Sequence, residues 1–234
     1  MFQKLRQLNT VETVLVVFLA LVALICAYRV VVAFYDQHAE MLPAEGGTYI
    51  EGAVGKVGTL NPLLAQQGSI THDITQLIFS GLTKYDPETR EMVADLADYT
   101  VSENGKEYTF VIKERAVWHD GKPVTSNDVL FTYESVIKNP SFKGVVLNYN
   151  DYSGMKLSKV DERTVQFLLE KPDSFFLVKT MTGLLPEHLL ANVPVTLIGD
   201  SPFSLEPVGT GGYRFVSMLP VNNHMEVSLE AFDD

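Results

Sequence analysis

One cysteine, one tryptophan, and only 18 Lys plus Arg against 29 Asp plus Glu are the scarcities of this 234-residue chain. The lone Cys26 cannot form an intrachain disulfide, and it sits inside an apolar run that says little about the redox compartment of the rest. A net charge of -11 excludes a nucleic-acid surface, which needs clustered Lys and Arg, so no nucleic-acid partner is expected. The acidity is read as solubility. Five histidines are present (His38, His72, His119, His188, His224), no two of them at ligand spacing such as i, i+4. With no cysteine to join them, no metal site is predicted. Gly209-Thr210-Gly211-Gly212 lacks the Lys-Ser or Lys-Thr of a phosphate loop and leads into a strand pattern rather than a helix. No Gly-x-Ser-x-Gly elbow occurs either. The chain is therefore read as a non-enzyme without a cofactor. Internal repeats and low-complexity tracts are also missing.

What is present begins with a long apolar run. Residues 13–28 carry no charge, and after Arg29 the run resumes from Val30 to Tyr35. A membrane helix needs roughly 20 apolar residues, and this segment supplies them if Arg29 snorkels to the outer interface. Lys4 and Arg6 precede it, whereas Asp36, Glu40 and Glu45 follow it, so the N-terminus should stay in the cytoplasm. A cleavable signal peptide is the competing reading. Its apolar core is about 7 to 15 residues, shorter than this run, although Val31-Val32-Ala33 offers small residues for cleavage. Lipidation at Cys26 is disfavoured by Ile25 just before it. The expected organisation is a cytoplasmic N-terminus (1–10), a transmembrane anchor (11–35), a tether (36–46) and an extracellular or periplasmic domain (47–234) of a single-pass membrane protein.

The exported part, in a chain 46% hydrophobic and 20% charged, is mixed α/β with more strand than helix. A strand is expected over 48–54. A helix follows with Ile70, Ile74, Leu77 and Ile78 on one face, Ser69 or Thr71 as its cap and Gly81 closing it. Residues 82–85 read as a strand ending in the turn Asp86-Pro87-Glu88. Tyr108, Phe110 and Ile112 alternate with Thr109, Val111 and Lys113 after Asn104-Gly105, a hairpin signal. A second strand pair is expected over 157–160 and 164–169, short helices over 175–181 and 186–191, and a last hairpin over 213–219 and 224–229.

Residues 118–133 order a strand end, the turn Asp120-Gly121, the rigid Pro123, a cap at Thr125 or Ser126 and a helix with Val129, Leu130, Tyr133, Val136 and Ile137 on one face. Together with Gly58-Thr59-Leu60-Asn61-Pro62, Ile78-Phe79-Ser80-Gly81-Leu82, Tyr108-Thr109-Phe110 and Val208-Gly209-Thr210-Gly211-Gly212-Tyr213-Arg214-Phe215, this run resembles the family 5 extracellular solute-binding proteins of oligopeptide, dipeptide and nickel ABC importers. The resemblance covers nearly everything from Gly47. One departure is Gly212, where that family more often has Pro. It implies a periplasmic-binding-protein-like (type II-like) fold. The first lobe would have two subdomains, one joining about 47–74 to about 190 onward and the other spanning the middle. A second lobe would follow Asp234, so the chain is expected to be a fragment or a truncated gene product. A peptide ligand and ABC permease and ATPase subunits are the implied partners.

Trp118-His119-Asp120-Gly121 gathers an aromatic, an imidazole and a carboxylate, yet it reads better as a structural turn with Trp118 in the core. For ligand contacts the resemblance points first to the loop with Ala65, Gln66 and Gln67, which would offer backbone groups to an extended peptide. Tyr149 and Tyr152 are second, as residues lining a cleft, with a plain polar loop as the alternative. Thr210, Gly211 and Gly212 are third, because glycine lets a backbone approach a ligand closely. Other functions left open are a surface enzyme with catalytic residues beyond Asp234, a scaffold or sensor module, and a nickel-complex receptor of the same fold.

Overall fold

The computed structural model describes residues 10–38, 46–142, 144, 152 and 154–232. The expected positive flank with Lys4 and Arg6, most of the tether and Tyr149 lie outside these. Residues up to Glu51 and residues from Gly52 onward form two compact units.

The first unit holds helix α1, Thr10–His38, 29 residues long and so about 44 Å at 1.5 Å per residue. Its stretch Val11–Phe34 has a mean hydropathy of 2.8 and is long and apolar enough to cross a membrane. Apolar side chains surround it rather than forming one stripe, as they would on a helix solvated by lipid. Residues 48–54 do not form the expected strand. Tyr49, Ile50 and Val54 are almost wholly exposed, and no neighbouring strand among the described residues offers them a ladder. Their β-branched and aromatic composition favours a pleated, half-buried surface, and without one it does not make a strand.

In the second unit, α2 (Ile70–Ile78) starts as its sequence dictates: the Ser69 hydroxyl accepts the His72 N–H at 3.2 Å. Gly81 plays another part than closing the helix, which already stops at Phe79. A Cβ on Gly81 would sit 2.5 Å from the Met181 carbonyl carbon, so glycine is there for close backbone approach. β1 (Thr83–Asp86) pairs antiparallel with β2 (Glu91–Ala94) across a turn held by the Asp86 carboxylate, which accepts from the Glu88 N–H and the Thr89 hydroxyl, both at 2.9 Å.

The main sheet is antiparallel, in the order β3 (Ala97–Val101), β4 (Glu107–Ile112), β6 (Thr164–Leu169), β5 (Met155–Lys159). Asn104-Gly105 makes the first hairpin, with Gly105 at φ 65°, a left-handed value that glycine adopts without strain. Register pairs Tyr108 with Phe167 and Phe110 with Val165, so the alternating apolar residues of both strands share one face. Phe167 is the hub of that face. Its ring lies 5.4 Å from each of Phe110, Tyr133 and Phe176, within the range of favourable edge contacts.

Helix α3 (Ser126–Leu130) covers this face and continues through Phe131–Ile137 as a π-helix. The Asp128 carboxylate accepts the Thr125 N–H at 2.8 Å and the Glu187 N–H at 2.9 Å, tying the helix start to the short helix Glu187–Leu190. The wider π turn has a local cause. The Thr132 hydroxyl donates to the Asp128 carbonyl at 2.7 Å and accepts the Leu185 N–H at 2.9 Å, inserting a side chain into the ladder. A second short helix, Phe176–Lys179, packs beneath the sheet, and the last described elements are the hairpin β7 (Tyr213–Val221) and β8 (His224–Ala231), which turns at Asn222 with φ 51°.

Candidate functional site

The junction at the end of α2 is built from three distant parts of the chain. Residues 118–122 form a tight turn: the Trp118 N–H reaches the Lys122 carbonyl at 2.7 Å, and the Gly121 N–H reaches the Trp118 carbonyl at 2.8 Å, with Gly121 at φ 83°. This turn presents His119 to the glycine loop. The His119 N–H donates to the Gly209 carbonyl at 2.8 Å. Its ring accepts the Gly209 N–H on Nδ1 at 3.3 Å and donates from Nε2 to the Gly211 carbonyl at 2.9 Å. Those two bonds select the neutral ring with its proton on Nε2. The Phe232 ring packs on the imidazole at 4.7 Å.

The glycine loop in turn caps α2. The Thr210 and Gly211 N–H groups both donate to the Ile78 carbonyl, at 3.1 and 2.8 Å, and the Thr210 hydroxyl accepts the Ser80 N–H at 3.2 Å. A Cβ on Gly209 would overlap the Ile78 carbonyl oxygen, and one on Gly211 would lie 2.5 Å from the Leu77 oxygen. The close approach expected at Gly211 is therefore directed at the helix end, and Gly211 is buried. Gly212 is different: it is exposed and a Cβ there would meet nothing.

Beside His119, the Asp120 carboxylate meets His188 Nε2 at 2.8 Å. Burial works to raise the Asp120 carboxyl, but the hydrogen bonds from His188 and the Lys122 N–H outweigh it, holding the group below its ordinary value. The His188 ring packs edge-on against Trp118, 6.1 Å between centroids. Trp118 is fully buried, and its indole N–H has no acceptor among the described residues. The motif Trp118-His119-Asp120-Gly121 is thus a structural turn, as its sequence suggests. Among the described residues no group of three or more His, Cys, Asp or Glu could hold a metal ion.

The expected ligand residues do not all converge. Ala65 is buried, whereas Gln66 and Gln67 are exposed just before α2, where the Gln66 carbonyl accepts the Ser69 N–H at 3.1 Å. Thr210 and Gly211 sit at the other end of the same helix, about 13 Å away for nine residues at 1.5 Å each. Tyr152 is corrected from a cleft-lining residue to a core residue. It is fully buried, its ring lies 5.9 Å from Tyr133, and its hydroxyl donates to the Lys179 carbonyl at 3.4 Å. Its apolar ring is held inside because this carbonyl and the Thr182 hydroxyl satisfy its polar tip. Thr210, Gly211 and Gly212 line a cavity of about 170 Å³ together with Lys113 and Arg115. Neither cation carries a ligand signal in the sequence, and neither does the double hydrogen bond of His119. No local signal links positions that far apart in the chain.

Residues 91–234 match a sequence model described as bacterial extracellular solute-binding proteins, family 5 Middle. Over 196 residues the chain is 30% identical to the oligopeptide-binding protein AppA of Bacillus subtilis, covering 82% of this chain and 35% of that protein. The structure of that AppA in complex with a nonapeptide superposes with a TM-score of 0.67 at 30% identity, over 77% of this chain and 35% of AppA. The chain is also similar to NikZ from Campylobacter jejuni in complex with Ni(L-His), with a TM-score of 0.61 and 31% identity over 70% of this chain and 31% of NikZ. It thus spans about a third of the length of the relatives it matches.

Proposed function

Because the chain belongs to the bacterial extracellular solute-binding proteins of family 5, we propose that it contributes the first lobe of a membrane-anchored receptor that captures peptides for an ABC importer. The observation that carries this reading is the family match over residues 91–234, joined to 30% identity with an oligopeptide-binding protein across 82% of the chain. Residues 1–10 lie in the cytoplasm, 11–35 form the anchor, 36–46 the tether and 47–234 the solute-binding lobe, which works with permease and ATPase subunits at the outer face of the membrane. The apolar length of α1 and the position of Lys4 and Arg6 before it support this orientation.

Gln66 and Gln67 at one end of α2, and Thr210 and Gly212 at the other, are the proposed peptide contacts, and Tyr149 is proposed as a further one. The roughly 13 Å between the two ends suits an extended peptide of about four residues at some 3.3 Å each. A nickel-complex receptor of the same fold is the second reading, favoured by the similarity to NikZ. Peptide is preferred because the oligopeptide relative is matched over more of the chain, 77% against 70% in the structures.

The test is thermal unfolding of the full chain in detergent micelles, with pools of di- to nonapeptides. A pool present at about 100 times its Kd stabilises by about 2.7 kcal/mol, which for a lobe of this size raises Tm by about 5–10 °C. No shift with any pool refutes the peptide reading.

A further inference from the structure

The cavity beside the glycine loop carries a charge that runs against the rest of the molecule. The chain has 18 Lys plus Arg and 29 Asp plus Glu, yet two cations, Lys113 and Arg115, follow directly on β4 to form one wall of this space. Asp95 also lines it, but the Asp95 carboxylate already lies 3.4 Å from the Lys84 ammonium. Lys113 is only loosely engaged, 4.0 Å from Asp98. Arg115 has neither an ion pair nor a hydrogen bond among the described residues. Ser80 closes another side. Its N–H and carbonyl are taken by Thr210 and Leu184, while its hydroxyl has no hydrogen bond among the described residues. Gly212 is exposed, and a Cβ there would meet nothing within 4 Å, so this side of the space is open. At about 170 Å³ the space holds several water volumes, enough for a carboxylate with the atoms next to it.

We propose that this cavity takes a small oxyanion, the chemistry shared by the C-terminal carboxylate of a peptide and by free phosphate, with Lys113 and Arg115 as its cationic partners. The peptide source rests on the receptor reading above. Cations on a wall suit an oxyanion because the charged hydrogen bond is about twice as strong as a neutral one, and guanidinium matches a carboxylate bidentately. The competing explanation is that both cations only complement the negative C-terminal end of α2. That role needs no ligand.

Titration calorimetry on the full chain in detergent micelles separates these. The probes are a random tripeptide pool with free C-termini, the same pool amidated, and inorganic phosphate, each against wild type, Arg115→Gln and the Lys113→Gln/Arg115→Gln pair. The expected result is that the free pool binds about 10- to 100-fold more tightly than the amidated one, and that the double substitution erases the difference. Phosphate binding that depends on the two cations, with no peptide binding, upholds the oxyanion site and overturns the peptide receptor. Equal binding of the two pools, or substitutions that change only Tm, overturns the oxyanion site and leaves the receptor standing. Binding of none of the probes overturns both. Arg115 is exposed, so its single variant folds and keeps the comparison interpretable.

Discussion

Replacing His119 with alanine removes the clamp between the turn at 118–121 and the glycine loop without touching either backbone. Two buried groups lose their partners, the Gly209 N–H and the Gly211 carbonyl. A buried polar group left unpaired costs about 1–3 kcal/mol, and the lost contact with the Phe232 ring adds about 0.5–1 kcal/mol. The sum is about 2–5 kcal/mol after some rehydration of the site, or a fall in Tm of roughly 4–20 °C for a domain of this size. The sole tryptophan, buried beside His119, provides the assay: urea unfolding of the full chain in micelles, followed by Trp118 fluorescence. His119→Gln, which keeps a donor near Nε2 but loses the acceptor at Nδ1, should recover about half of the loss. Proton and nitrogen NMR of the wild-type ring should show the Nε2–H tautomer. A cost below about 1 kcal/mol for His119→Ala, or the other tautomer, refutes the clamp.

Two glycines three residues apart should respond in opposite directions. Gly209→Ala drives a Cβ into the Ile78 carbonyl and should lower the urea midpoint sharply, whereas Gly212→Ala meets open space at a φ outside the left-handed region and should gain about 0.4–1 kcal/mol; equal effects would undo the packing account. Acid should unfold the lobe through Asp173 and Asp120. Asp173 is lowered by the hydrogen bond from Lys179 against the pull of burial, and Asp120 by His188 and the Lys122 N–H despite its burial. A depressed carboxyl contributes stability that is fully present above its unfolded value of about 3.9 and is lost as pH falls through its folded value. The urea midpoint should therefore hold down to about pH 4 and drop below it, and the drop should shrink in Asp120→Asn and Asp173→Asn. At the alkaline end, burial raises the Tyr133 phenol well above its ordinary value, so stability should fall only as pH rises past about 10.

What the sequence disclosed were signals contained within a few residues. The alternation of Tyr108, Phe110 and Ile112, the Asn104-Gly105 turn, Ser69 before α2 and the Thr125–Asp128 start of α3 each rest on backbone geometry fixed by neighbours, and each stands in the structure where it was expected. The failures share a cause as well. Residues 48–54 have strand composition, but a strand exists only with a partner. Gly81 looked like a helix stop, yet its reason is Met181, a hundred residues away. Tyr152 looked like a loop aromatic until Tyr133, Lys179 and Thr182 surrounded it. The candidate site fared worst of all, because the Lys113, Arg115 and Gly212 cavity and the His119 clamp are assembled entirely by such long-range meetings.

The span of these meetings has a consequence for how the lobe is made. The β3–β4 and β5–β6 hairpins close over a few residues and can form as soon as each is synthesised. The segment around Leu60 and Asn61 bonds to Ser204, 143 residues later in the case of the Asn61 side chain, and α2 is capped only once Gly211 has appeared. Loops of that size close last, since their entropy must be met before any contact rewards it. Ser80, just past α2, and Thr210 of its cap are 130 residues apart, so during synthesis Leu60, Leu63 and Ile78 wait with their apolar faces uncovered. During that wait the uncovered apolar surface is open to aggregation and to chaperones.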